Sequence, residues 1–290
     1  MYHSILIGID FSDASIESVR WTVSRFPEAE IILFHSIEPL SVPGYVLREL
    51  GSQLELVREK ELDARTNLEA IASQCGIEAR CEVRGGWIPE ALALTAEELA
   101  VELVVVGAHQ KRIAPSDELG NTCAAIVRET PLPVLVWRPI RHERNKTILA
   151  AVSLRDGSAP IAATAARYAE YFGTRLYLLH AMPGTLQRYV RAVSSPTKAD
   201  ELLRRLENYA RAEALERIPE DLREKLEVQV GIVRGKPISN HILAVAEAEA
   251  VDLIVLGKYH APGLTARVLL GNVTREVILG ANCAVLAISV

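Results

Sequence analysis

The chain repeats itself once, and that repetition limits its architecture more than any other feature. Val101–Glu102–Leu103–Val104–Val105–Val106–Gly107 returns as Val251–Asp252–Leu253–Ile254–Val255–Leu256–Gly257. Gly120–Asn121–Thr122 returns as Gly271–Asn272–Val273–Thr274. Glu30–His35 has its counterpart in Arg175–His180, the two Val-Arg-Gly runs end at Gly85 and Gly235, and Pro237 parallels Pro89. The chain of 290 residues is therefore read as a tandem duplication of a unit of roughly 140 residues. The expected organisation is a first domain over 1–140, a linker over 141–146 and a second domain over 147–290. The linker is sought in Arg138–Lys146, which is polar, charged and carries a proline.

Each unit alternates short apolar runs with longer amphipathic ones. Ser4–Asp10, Glu30–Ser36, Ile77–Arg84, Leu103–Gly107 and Pro133–Arg138 read as strands. Helices are expected from Ser12 or Asp13 to about Ser24, over Leu47–Gln74, from Pro89 to about Leu99, and over Asn121–Glu129. In the second half the strands are Thr147–Ser153, Arg175–His180, Val228–Gly235, the run ending at Gly257, and Ala284–Val290. The expected helices there open at Gly157 or Ser158 and cover Thr197–Ile218. Alternation of this kind predicts an α/β fold with a parallel, doubly wound sheet in each half.

Composition narrows the partners. The formal charge of −5 argues against a general nucleic-acid or anionic-membrane surface. No apolar run reaches the length of a membrane span, and Met1–Tyr2–His3–Ser4 runs straight into a strand without a signal-peptide pattern. Cys75, Cys81, Cys123 and Cys283 form no C-x-x-C pair and read as reduced thiols, which suits a cytoplasmic protein.

The stretch Gly107–Thr122 holds the chemistry. A buried strand feeds a loop, and the loop feeds a helix N-terminus, whose open N–H groups and dipole suit an anion such as phosphate. Glycine at each end admits close backbone approach. Taken locally, the same residues make an ordinary strand-to-helix connection. In doubly wound sheets ligands sit beyond the carboxyl ends of the strands where strand order reverses. Asp10 and Gly107 would share that crevice in the first half, and Ser153 and Gly257 in the second.

Ile7-Gly8-Ile9-Asp10-Phe11-Ser12-Asp13-Ala14-Ser15 and Leu33-Phe34-His35-Ser36 resemble the first and second strands of the universal stress protein family, in its tandem two-domain form. The resemblance covers both halves. The nucleotide motif of the ATP-binding members is Gly-x2-Gly-x9-Gly-(Ser/Thr). Gly107, Gln110, Gly120 and Asn121 keep that spacing, with Gln110 in place of a glycine and Asn121 in place of the hydroxyl residue. In the second half Gly257, His260 and Gly271 fall near the motif with one residue more, and Asn272 again replaces Ser/Thr. The family's first-strand aspartate is present as Asp10 and replaced by Ser153.

The resemblance implies two flavodoxin-like, HUP-type domains, each a five-stranded parallel sheet of order 3-2-1-4-5 with helices on both faces. It implies intrachain pairing of the two domains through their fifth strands, and a homodimer of chains as a further assembly. It implies ATP or AMP, with Mg2+, bound preferentially in the first domain. The ligand would meet Ile9, Asp10, Ser36, Val106, Gly107, His109, Gln110, Gly120, Asn121 and Thr122. A weaker second site would use Ser153, Gly257, His260, Gly271, Asn272, Val273 and Thr274.

Other chemistries find little support. There is no P-loop, no Gly-x-Gly-x-x-Gly after a strand and no Gly-x-Ser-x-Gly elbow. His35 and His180 occupy equivalent strand ends and read as hydrogen-bonded caps, and no metal-ligand spacing is present, although His241 and His260 could approach one another. No catalytic residue is expected, and at most a slow ATP hydrolysis. Two functional classes compete: a stress-response regulatory protein that binds adenine nucleotide, and a protein-interaction module that binds none. A carrier of hydrophobic ligands is a weaker third. The protein partner is not specified by the sequence.

Overall fold

The computed structural model describes residues 1–38, 53–108, 118–139, 147–155, 158–235, 237–260 and 268–290. It divides into two compact units, Met1–Pro139 with Ala261–Leu269, and Ile140–His260 with Leu270–Val290.

In the first unit the order is β1 (Ser4–Gly8), α1 (Asp13–Arg25), β2 (Glu30–Ile37), α2 (Gln53–Cys75), β3 (Ala79–Gly85), α3 (Ile88–Glu98), β4 (Leu103–Gly107), α4 (Glu118–Glu129) and β5 (Val134–Trp137). All pairings are parallel and the strand order is β3-β2-β1-β4-β5. Leu103, Val104, Val105, Val134, Leu135 and Val136 are fully buried. Both faces of these strands are covered, which is why they read as unbroken apolar runs rather than as alternation.

The second unit contains β6 (Thr147–Val152), α5 (Ala159–Phe172), β7 (Arg175–Met182), α6 (Gly184–Val193), α7 (Pro196–Glu216), α8 (Glu220–Arg223), β8 (Val228–Arg234), α9 (Ile238–Ala248) and β9 (Leu253–His260). The two-residue strand β10 (Val268–Leu269), which belongs to the first unit, comes next in the chain. α10 (Asn272–Gly280) and β11 (Ala284–Ser289) complete the second unit. Its order, β8-β7-β6-β9-β11, is again all parallel. The expected 3-2-1-4-5 arrangement is therefore present in both units. Right-handed crossovers place the helices that follow the first two strands of each unit on one face and the later two on the other.

Side-chain alternation fixes what each face sees at the strand ends. A Cβ at Gly107 would stand 2.8 Å from the Ala14 carbonyl oxygen and 2.9 Å from the Ser15 Cα, so this residue faces α1. A Cβ at Gly8 would meet Leu92 of α3 and Val106, both at 3.2 Å, so Gly8 faces the other way. In the second unit Gly257 faces α5, where a Cβ would lie 2.9 Å from the Ile161 Cδ1.

Two expectations are corrected here. α4 begins at Glu118 rather than Asn121, which puts Gly120 within the first turn. First-turn N–H groups have no intrahelical partner, so glycine costs little there. The expected long helix Thr197–Ile218 is present as α7, with Pro196 starting it at a position where its missing N–H is harmless, and α6 precedes it without having been expected. Arg138 is no linker residue, for it follows β5 directly and is only 7 % exposed. The expected linker 141–146 and residues 47–52 of the expected second helix lie outside the described residues.

Candidate functional site

The first unit's crevice opens where β1 lies between β2 and β4. Ile9 continues the ladder beyond β1, with its N–H donating to Phe34 O at 2.7 Å. Asp10 follows it and is exposed. Its Oδ1 accepts from the Ser12 N–H at 3.0 Å and from the Ser12 hydroxyl, closing a tight turn. Ser12 in turn caps α1, its Oγ accepting from Ser15 N at 3.3 Å. Phe11, between them, has φ 62°, in the left-handed region that non-glycine residues rarely enter. Leu154 has φ 55° at the matching position of the second unit.

His35 holds this turn from below. Its Nδ1 lies 2.7 Å from Ile9 O, a carbonyl that can only accept, so Nδ1 carries the proton. The ring lies 4.5 Å from that of Phe11. His180 repeats the device against Val152 O at 2.9 Å. Both histidines are strand-end caps, as expected from the sequence.

The other expected ligand-facing residues are placed unevenly. Ile9 and Val106 are each 4 % exposed and belong to the core. Ser36 is buried and donates its hydroxyl to Gly86 O at 3.0 Å, so its oxygen is left only as an acceptor. Gly107 is a glycine because α1 backbone presses on it, and not only for a ligand's sake. Thr122 is half-buried on α4. Gly120 and Asn121 lie in the first turn of α4, while His109 and Gln110 lie outside the described residues.

In the second unit Ser153 is exposed and its Oγ accepts from Arg155 N at 3.4 Å. It copies the turn-closing role of Asp10 without the charge. Gly271 is the N-cap of α10 with φ −63°, and a Cβ built on it would meet nothing within 4 Å. Neither conformation nor packing demands glycine there. Asn272 is exposed and Val273 half-buried. Thr274 is buried and donates its hydroxyl to Gly257 O at 2.9 Å, tying α10 to the end of β9. His260 closes β9. Among the described residues no group of three His, Cys, Asp or Glu could hold a metal ion.

Two residues with a bearing on the site were missed from the sequence. Arg138 was read as the end of the fifth strand and the start of the linker candidate, and Lys258 was not singled out. Lys258 is fully buried, and burial pulls its ammonium down to about 7. The thiol of Cys123 on α4 shows where Arg138 lies. Burial pushes that thiol up to about 11, the Arg138 charge draws it down, and the Asp10 carboxylate adds to the rise. Arg138 and Asp10 thus both act on the thiol of the half-buried Cys123. A charged residue right after an apolar run was the available signal for both.

The model of the Universal stress protein family matches residues 1–138 and again residues 144–289. The chain belongs to that family. A universal stress protein of Mycolicibacterium smegmatis is 23 % identical over 300 residues, spanning 99 % of this chain and 97 % of that one. Among solved structures, a universal stress protein from Archaeoglobus fulgidus superposes with TM-score 0.65 at 18 % identity, covering 99 % of this chain and 98 % of that one. A protein of unknown function from Pseudomonas aeruginosa gives 0.62 at 18 % identity, covering 99 % and 92 %. These likenesses show the fold. The family's tandem form accounts for the repeat, and no helix among the described residues is long and apolar enough to cross a membrane.

Proposed function

We propose that this universal stress protein is a regulatory protein that binds an adenine nucleotide, ATP or AMP, in the crevice of its first unit. One observation carries the reading. Asp10 stands exposed at the carboxyl end of β1, held in a fixed turn beside β4, whereas the second unit offers the neutral Ser153 at the same place. A carboxylate fixed in advance accepts hydrogen bonds from ribose hydroxyls or an exocyclic amine, and bonds to a charged acceptor are the stronger kind. The first turn of α4 supplies open N–H groups for phosphate. Mg2+ would arrive on the phosphates, since the described residues offer no ligand cluster of their own.

Calorimetry with AMP and ATP tests this on wild-type protein, Asp10→Ala and Ser153→Ala. Asp10→Ala should lose roughly tenfold to a hundredfold in affinity, and Ser153→Ala should lose little. Equal losses would remove the asymmetry. The alternative is an interaction module without nucleotide. It is favoured by the burial of Ile9 and Val106 and by the engaged hydroxyl of Ser36, which leave few free groups for an adenosine. Absence of heat at millimolar nucleotide would select it.

A further inference from the structure

Arg138 is costly where it stands. Arginine is seldom buried, and a guanidinium withdrawn from water must be compensated. The strand itself does not ask for it. Gly107 and Trp137 are register partners, and Ala108 N–H donates to Trp137 O at 2.9 Å, so Ala108 and Arg138 come abreast as the next residues of β4 and β5. Gly107 faces α1, so by alternation Arg138 is directed to the opposite face, the one α3 and α4 cover. Asp10 follows Gly8 by two residues and is placed on that face too.

The second unit meets the same demand from the neighbouring strand. There Lys258 and Ser289 are register partners, directed away from α5. The cation stands on β9 where the first unit has Ala108, and Ser289 stands where the first unit has Arg138. Each unit therefore buries a basic side chain at the same level of its sheet, on the same face, Arg138 after β5 and Lys258 in β9.

Resting on the nucleotide reading above, we infer that Arg138 is the specificity-determining residue of the first crevice, selecting ligands that carry phosphate over the bare nucleoside. With Asp10 it makes the crevice dipolar. The carboxylate end suits the hydroxyls and amine of a nucleoside, and the guanidinium end suits phosphate oxygens. Both charges reach the thiol of Cys123 with opposite effect, which fits their flanking of α4. Arginine keeps its proton at any working pH, so above about pH 7, where the AMP phosphate is mostly dianionic, the preference should hold steady up to about pH 9.

The test is calorimetry with AMP, adenosine and inorganic tripolyphosphate on wild-type protein, Arg138→Met and Arg138→Lys, with thermal unfolding as a check on folding. Wild type should bind AMP more tightly than adenosine, and tripolyphosphate should displace AMP. Arg138→Met should lose roughly tenfold or more for AMP and tripolyphosphate while adenosine binds as before. Arg138→Lys should restore part of the loss. Should Arg138→Met fail to fold, Arg138→Gln takes its place, and the displacement of AMP in wild type stands independently. A parallel fall for adenosine and AMP would mark Arg138 as merely structural and overturn the inference. So would an unchanged AMP affinity, or failure of tripolyphosphate to compete. Arg138-dependent binding of tripolyphosphate without any binding of adenosine or AMP would uphold Arg138 and overturn the adenine reading instead.

Discussion

Gly107 opens the first nucleotide-motif stretch and Gly271 closes the second, and packing holds only Gly107 to glycine. A methyl group on Gly107 would enter the backbone of Ala14 and Ser15, which cannot turn aside as a side chain could. Gly107→Ala should cost about 1–3 kcal/mol of stability by pushing α1 away, measurable in a urea titration. Gly271 has open space and an ordinary φ, so Gly271→Ala should change stability by less than about 0.5 kcal/mol. Lys258 gives a pH-dependent counterpart. Its value falls from 10.5 in the unfolded chain to about 7 in the fold. Between those values the unfolded chain holds the proton and the folded one does not, so stability rises with pH across the window. Lys258→Met should therefore raise the melting temperature most at pH 7 and below, with the gain shrinking towards pH 10. Cys123 runs the other way: its folded value of about 11 lies above 9.0, so its contribution falls as pH rises between the two. It should resist thiol reagents until the protein unfolds.

At the level of elements, the strands were the legible part. β4 and β5 are buried on both faces and declare themselves as apolar runs with glycine or proline at their edges. The helices were less so. α6 exposes most of its surface, including Tyr189 at 66 %, and buries only Val190 fully, so its sequence resembles a connection. Its packing is supplied from outside by Met182, Ala199 and Leu203, which no local pattern reveals. The start of α4 was misplaced because a glycine looks like a boundary even when it lies in a first turn. The site divides in the same way. Asp10 and the capping histidines were legible because they end apolar runs. Arg138 was hidden because a charged residue before a proline reads as linker until its burial is known. The tie between Thr274 and Gly257 O was equally invisible. Thr274→Val should cost about 1 kcal/mol, seen in the denaturation midpoint, with the loss confined to the second unit's transition.

The whole molecule contains two units of one design with unlike chemistry at their crevices. The repeat made the fold readable twice over, and the family resemblance agreed with it. What the repeat could not convey is that the units diverge in charge: Asp10 against Ser153 at the first strand, and Arg138 against Lys258 at the fourth and fifth. At saturation, nucleotide should bind with a stoichiometry near one per chain, and ligand at about a hundred times its Kd should add roughly 2.7 kcal/mol to the stability of the unit that holds it. Differential scanning calorimetry should then show one transition move and the other stay. Phe11 and Leu154 have a consequence of a separate kind. A non-glycine residue in the left-handed region sits roughly 1–2 kcal/mol above its relaxed backbone, and among the described residues each unit accepts that twice, at Ala100 or Ala250 ahead of its fourth strand and at Phe11 or Leu154 immediately after its first. The turn that aims Asp10 is thus already wound when the chain folds. Phe11→Gly would unwind it, leaving a chain of comparable stability whose crevice must be reassembled at every encounter, with slower capture of ligand and a larger entropic loss on binding.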